Sequence, residues 1–216
     1  MILNMKPAAV CLAFLGAALA NAVPGFHVIA TARTAGASVS PQMIADDFSA
    51  IKSMSGDFVQ YGPKGERTAG KFFLERPGKI RFNYTGRSTV NVISDGKSLV
   101  IVNKALHTSR LYSLSKTPLK FLLGNTVDFS SNHLKSIKEE GNFITIQLAD
   151  RSGTGNSTIS MMFDRKSYAL RKWTIVDERG LATTVEISNT KNGAHFAAGT
   201  FTIDYTANRE INTRTK

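Results

Sequence analysis

The sequence predicts a mainly β protein built on one large, curved antiparallel sheet, partly closed into a barrel, with helices across one mouth. Three observations predict it. Ten or eleven runs of strand-like alternation follow one another at hairpin spacing, no connection between them is long enough for a parallel crossover, and only two stretches carry helical spacing.

Residues 1–22 read as a secretory signal. Lys6 precedes an uncharged run over 8–20 that is too short to span a bilayer, and Ala20-Asn21-Ala22 gives a cleavage pattern, with Ala30-Thr31-Ala32 as a weaker second site. The alternative is a retained membrane anchor. Cys11 is the single cysteine and lies in that signal, so the mature chain excludes disulfides, thiol chemistry and cysteine metal sites. Loss of Lys6 leaves 26 basic against 16 acidic residues, a balance of +10. In an exported protein such a balance suits an anionic membrane surface or an acidic partner rather than nucleic acid, with solubility alone as the bland alternative.

Residues 23–39 are small and polar and read as a loose leader. Ser40-Pro41 then supplies an N-cap and a first-turn proline, and Ile44, Phe48, Ile51 and Ser55 follow at helical spacing with Gly56 placed to end the helix. From Asp57 the period changes to that of strands. Asp95-Gly96 between two apolar runs marks a hairpin, and residues 106–112 read as a further strand. Thr117-Pro118 repeats the cap-and-proline entry. The helix that follows, with Leu119, Phe121, Leu122 and Leu123 and closed by Gly124, is apolar nearly all round and must be covered on more than one side. A short greasy helix between strands suits a lid. Strands resume after residue 134, and 201–205 reads as a last one. The domain is expected over 40–205, with 206–216 a basic polar tail.

The centre of this pattern is the hairpin at 70–84. Phe72, Leu74 and Arg76 share one face of its first arm, Ile80, Phe82 and Tyr84 one face of the second, and Pro77-Gly78 reads as a type II turn between them. Arg76 therefore stands at the end of an apolar row, where a guanidinium needs a partner.

Catalytic patterns are sparse. His27, His107, His133 and His195 do not form the spacing of a zinc site, no nucleophile elbow occurs, and Asp46-Asp47 and Glu139-Glu140 read as solvated pairs. No enzyme activity, cofactor or metal is expected. The simplest use of such a sheet is to hold something apolar in its concavity, although Phe72, Leu74, Ile80, Phe82 and Trp173 also suit plain core.

The order of Phe58-Val59-Gln60, the 70–78 stretch with Arg76-Pro77, Ser94-Asp95-Gly96-Lys97, Thr117-Pro118-Leu119, and Leu170-Arg171-Lys172-Trp173 before Asp177 and Gly180 resembles the LolA family of periplasmic outer-membrane lipoprotein carriers. The resemblance implies an unclosed barrel with a helical lid over a cavity for acyl chains. It implies cargo received from an inner-membrane lipoprotein-releasing ABC transporter and passed to the outer membrane, usually through a receptor lipoprotein. It also implies that Arg76, with Pro77 beside it, bonds to lid backbone near Leu119, Leu122 and Phe48 and keeps the empty cavity shut. The lid would comprise Phe48, Ile51, Leu119, Phe121, Leu122 and Leu123, and the cavity Phe58, Phe72, Leu74, Ile80, Phe82 and Trp173. A periplasmic monomer is expected, acting as carrier; the alternative is a periplasmic sensor or regulator of lipid or lipoprotein on the same fold. Lys120 inside the lid helix, and the tail without a proline-rich segment, depart from the family pattern.

Overall fold

Ser40 begins the first helix as the sequence predicts: its hydroxyl accepts a hydrogen bond from the Gln42 amide at 3.3 Å, and Pro41 takes the first turn of α1, Pro41–Ala50. The computed structural model describes residues 40–129, 132–150 and 156–208, all within one compact unit. The expected signal (1–22), the leader (23–39) and the tail beyond Asn208 lie outside them. On α1 the apolar stripe of Ile44, Ala45 and Phe48 is fully buried.

The helix is shorter than its spacing predicts. It ends at Ala50, Ile51 is already extended, and β1 runs over Ser53–Tyr61. The cause is sheet pairing: the Lys52 carbonyl accepts the Arg76 amide at 2.7 Å, and Ser53 stands opposite Glu75. Gly56 accordingly ends no helix. It lies in β1 beside a bulge, where a Cβ would come within 2.8 Å of both the Phe72 ring and the Ser188 carbonyl.

Five further strands follow by hairpin turns: β2 (Arg67–Glu75), β3 (Lys79–Tyr84), β4 (Val90–Asp95), β5 (Ser98–Asn103) and β6 (Thr108–Ser113). A 3-10 turn, Leu114–Lys116, leads into α2, Leu119–Leu123. The second set comprises β7 (Leu134–Glu140), β8 (Phe143–Asp150), β9 (Ser157–Asp164), β10 (Leu170–Val176) and β11 (Ala182–Asn192). All pair antiparallel in one eleven-stranded sheet of order β6-β5-β4-β3-β2-β1-β11-β10-β9-β8-β7. First and last strands meet in the middle, β6 and β7 form the two edges, and the sheet is not closed.

Residues 201–205 form no strand. β11 already has β1 and β10 as neighbours, so no ladder beside it is open to the chain that follows. The segment instead lies on the outer face of the sheet, opposite to Phe72. Phe196 packs edge-on to Phe73 and Phe201 with ring centroids 5.7 and 5.4 Å apart, Arg81 Nη1 donates to the Thr200 carbonyl at 3.0 Å, and Tyr205 donates to Asp95 Oδ2 at 2.6 Å. Alternation in Phe201 and Ile203 buries both without pairing, and 205–208 is helical.

A buried arginine beneath the helical cover

The site grows from the β2–β3 hairpin. Its register sets Phe72 opposite Phe82 and Leu74 opposite Ile80, so the inward rows predicted by alternation face each other. All four are at most 5% exposed. Arg76 follows on the same face and is 7% exposed, which places its charge at the buried end of the row.

Backbone carbonyls receive it. Arg76 Nε donates to the Ile51 carbonyl, just past α1, at 2.9 Å, and Nη1 donates to the carbonyls of Leu122 and Gly124, at the end of α2, at 2.6 and 2.8 Å. The last turn of a helix leaves carbonyls without intrahelical partners, and these carry the negative end of the helix dipole, so a cation there is favourable. The guanidinium also stacks 4.5 Å from the Phe48 ring centroid. Nη2 is buried with no hydrogen-bond partner among the described residues. Burial pulls the Arg76 pKa from its usual value down to about 10, which still leaves a cation at neutral pH.

The turn beside it is fastened too. Gly78 donates its amide to the Leu123 carbonyl at 2.7 Å, while its own carbonyl accepts the buried Ser94 hydroxyl at 2.7 Å. Gly78 has φ of 78°, and a Cβ there would stand 2.7 Å from the Gly96 Cα, so only glycine fits. The positive φ of Gly78 is the one the Pro77-Gly78 turn reading asks for, and the Arg76–Pro77 peptide is cis. Farther along, Ser49 Oγ of α1 accepts the Val127 amide at 2.8 Å, joining α1 to the chain leaving α2.

Lys120, the odd residue of the cover, has a structural reason. Its Nζ lies 2.7 Å from Oδ1 of Asp150, whose side chain is 3% exposed. The charge leaves the apolar helix toward a buried carboxylate on β8 rather than toward water.

The structure brings Phe48, Leu119, Leu122 and Leu123 into one buried cluster with Phe58, Phe72, Leu74, Ile80, Phe82 and Trp173. Phe58 packs edge-on to Phe82 at 4.9 Å, and Phe82 lies 6.3 Å from Trp173. In this state the concave face is filled by its own side chains and those of the cover. Ile51 and Phe121 pack against the cluster from half-buried positions, Phe121 lying 4.9 Å from the His133 ring, and Pro77 is exposed. The carbonyls that meet Arg76 differ from those the resemblance implies: Leu122 is one, Gly124 and Ile51 are the others, and Phe48 contributes its ring instead.

Several participants escaped the sequence reading. Phe129 and Phe163 are fully buried, and Phe163 packs edge-on to Phe48 at 5.4 Å. Phe163 alternates with Met161 and Ile159 along β9, as Ile144, Ile146 and Leu148 do along β8, but nothing in alternation says which face meets a helix. Among the described residues no cluster of three or more His, Cys, Asp or Glu side chains could hold a metal ion, and no helix is long and apolar enough to cross a membrane.

Fold and site together define an unclosed antiparallel barrel whose helical cover is tied to one hairpin by a buried arginine. The family described as outer membrane lipoprotein carrier protein LolA matches residues 49–204, and the chain belongs to that family. An outer-membrane lipoprotein carrier protein of Chromobacterium violaceum is 27% identical over 154 residues, 68% of this chain and 74% of that protein. Two solved structures are similar in outline. A LolA superfamily protein of Nitrosomonas europaea has a TM-score of 0.42 at 12% identity, covering 78% of this chain and all of that one. The MucA/MucB complex of Pseudomonas aeruginosa has a TM-score of 0.43 at 13% identity, covering 75% of this chain and 59% of that one.

Proposed function

We propose that this protein is a periplasmic carrier that takes the acyl chains of lipoproteins released from the inner membrane into its concave face and delivers them to the outer membrane. The observation that carries the reading is the Arg76 junction. A single side chain of the β2–β3 turn holds the ends of both covering helices by three hydrogen bonds to backbone carbonyls, over a continuous apolar cluster. Such bonds contribute roughly 1.5–3 kcal/mol each. Burial of the guanidinium, which lowers its pKa to about 10, offsets part of this, so the net hold is about a few kcal/mol. A long acyl chain gains about 0.8 kcal/mol per buried methylene and is able to displace the cover.

On this reading the cover is shut over a filled interior when empty, and cargo replaces side-chain contacts with its own. Opening and closing need no nucleotide at this protein. The partners are acylated lipoproteins, a lipoprotein-releasing ABC transporter of the inner membrane that supplies them, and an outer-membrane receptor lipoprotein that takes them.

A photoreactive phenylalanine analogue at Tyr84 tests the path of the acyl chains. Tyr84 packs edge-on to Phe58 at 5.1 Å on the concave side, whereas Phe73 faces the outer layer. The proposal expects crosslinks from position 84 to an acylated lipoprotein, none to its unacylated form, and none from position 73. Equal crosslinking from both positions would place the acyl chains elsewhere.

A further inference from the structure

The sheet is electrically lopsided. Between Arg76 and Val127 the chain holds nine basic residues and one acidic, whereas β7–β11 with their turns, 134–192, hold nine basic and seven acidic. The one carboxylate, Asp95, is occupied locally: Oδ1 accepts the amides of Lys97 and Ser98, and Oδ2 accepts Tyr205. Four of the nine cations are engaged inside the fold. Arg76 meets the cover, Lys79 pairs with Glu75 at 2.6 Å, Arg81 bonds Asn83 and Thr200, and Lys120 pairs with Asp150. The other five, Arg87, Lys97, Lys104, Arg110 and Lys116, are exposed, and none forms an ion pair among the described residues.

The same wing exposes apolar side chains. Leu106 is 67% exposed, Leu111 54% and Tyr112 39%, all within seven residues of the edge strand β6 and its turn. One exposed leucine is ordinary; three large apolar groups interleaved with Lys104 and Arg110 are not. Leu106 is also held in place. Its amide donates to Asn103 Oδ1 at 3.1 Å, Thr89 Oγ1 donates to the same atom at 3.0 Å, and the Lys104 amide donates to the Thr89 carbonyl at 2.9 Å. These bonds set the β5–β6 turn beside the β3–β4 turn that carries Arg87. Next to them lies an open depression of about 370 Å³, lined by Arg81, Tyr84, Ser88, Thr89, Asn91 and Lys104 among others and by no carboxylate.

We infer that the β3–β6 wing is a docking surface for the face of an anionic phospholipid bilayer, with Leu106 entering the headgroup boundary and Arg87 and Lys104 meeting lipid phosphates. Cations near an anionic membrane are attracted over about a Debye length, and an apolar side chain between them adds a contact that salt does not screen. The protein would then reach the membrane by its own surface. This inference stands apart from the carrier reading, because empty protein is expected to bind.

The test is co-sedimentation of the empty mature protein with lipid vesicles free of any protein, made either of phosphatidylcholine alone or of phosphatidylcholine mixed with phosphatidylglycerol. Binding is expected to the anionic vesicles only and to weaken steeply with added salt. Leu106→Asp is expected to weaken it about tenfold, and the double reversal Arg87→Glu, Lys104→Glu about a hundredfold at low salt. A control reversal of equal net charge on the other half, Lys138→Glu with Lys166→Glu, is expected to leave binding within about twofold. All substituted positions are at the surface, and circular dichroism checks that each variant is folded. Absence of binding to anionic vesicles overturns the inference. So does an equal loss in the control variant, which would reduce the effect to net charge, and so does full binding by the Leu106 or Arg87/Lys104 variants. Any of these leaves the lipoprotein reading untouched, since no cargo is in the experiment.

Discussion

At the scale of single residues one buried cation ties the helical cover to the sheet. Arg76 is the residue that sequence alternation marks as misplaced, because it continues an apolar row, and the structure shows carbonyls of both covering helices meeting it there. Substitution Arg76→Leu keeps the apolar row and removes the tie. Loss of a net few kcal/mol is expected to speed amide hydrogen exchange over 119–124 by about tenfold to a hundredfold, while the sheet amides of β1 and β2 keep their protection. Unchanged exchange over 119–124 would mean that packing alone holds the cover. The folded-state pKa of Arg76 is lower than the unfolded one, so its burial opposes folding in full at neutral pH, and that opposition fades only as pH rises past about 10. Its titration therefore contributes no pH dependence near neutrality. Lys120 makes a second test at this scale. Lys120→Met is expected to destabilise by about 2 kcal/mol in urea unfolding, because Asp150 stays buried without that partner, and Asp150→Leu in the same chain is expected to recover part of the loss.

At the scale of elements, legibility followed period and failed at junctions. The β2–β3 hairpin was readable down to facing residues, since the period of two fixes which side chains meet once the turn is placed. The end of α1 was not. Ile51 and Ser55 fit helical spacing, but pairing of Ser53 with Glu75 draws the chain into β1, and no local signal competes with a long-range ladder. The 201–205 segment misleads for a related reason: its alternation is real, yet it serves an outer layer with Phe73 and Phe196 rather than a ladder. The cover over Phe163 and Phe129 was illegible because it joins segments far apart in sequence. A glycine tests the pairing account. At Gly70 a Cβ would collide with the Asn83 carbonyl on β3, so Gly70→Ala is expected to cost at least about 2 kcal/mol in thermal or urea unfolding, as overpacking against backbone that cannot yield. A cost near zero would mean that β2 and β3 are held more loosely than their register shows.

At the scale of the molecule, the chain folds so that its two halves flank a central β1–β11 pair and leave edges at β6 and β7. An unclosed sheet is able to change its curvature without breaking its ladder, which suits a concave face that is filled when empty and yields to a guest. In the function proposed above, the covering helices are the gate. The charge imbalance between the halves was countable in the sequence, but which cations are free was not, because engagement of Lys79, Arg81 and Lys120 depends on contacts that only the fold creates. The central claim is that this interior accepts acyl chains. Native mass spectrometry of the mature protein with acylated and unacylated versions of one co-expressed lipoprotein tests it most directly. The account predicts a one-to-one complex with the acylated form alone, and a larger complexed fraction for Arg76→Leu, whose cover is easier to displace. A complex that forms equally without acyl chains, or none with them, would contradict it and leave the buried cluster as ordinary core.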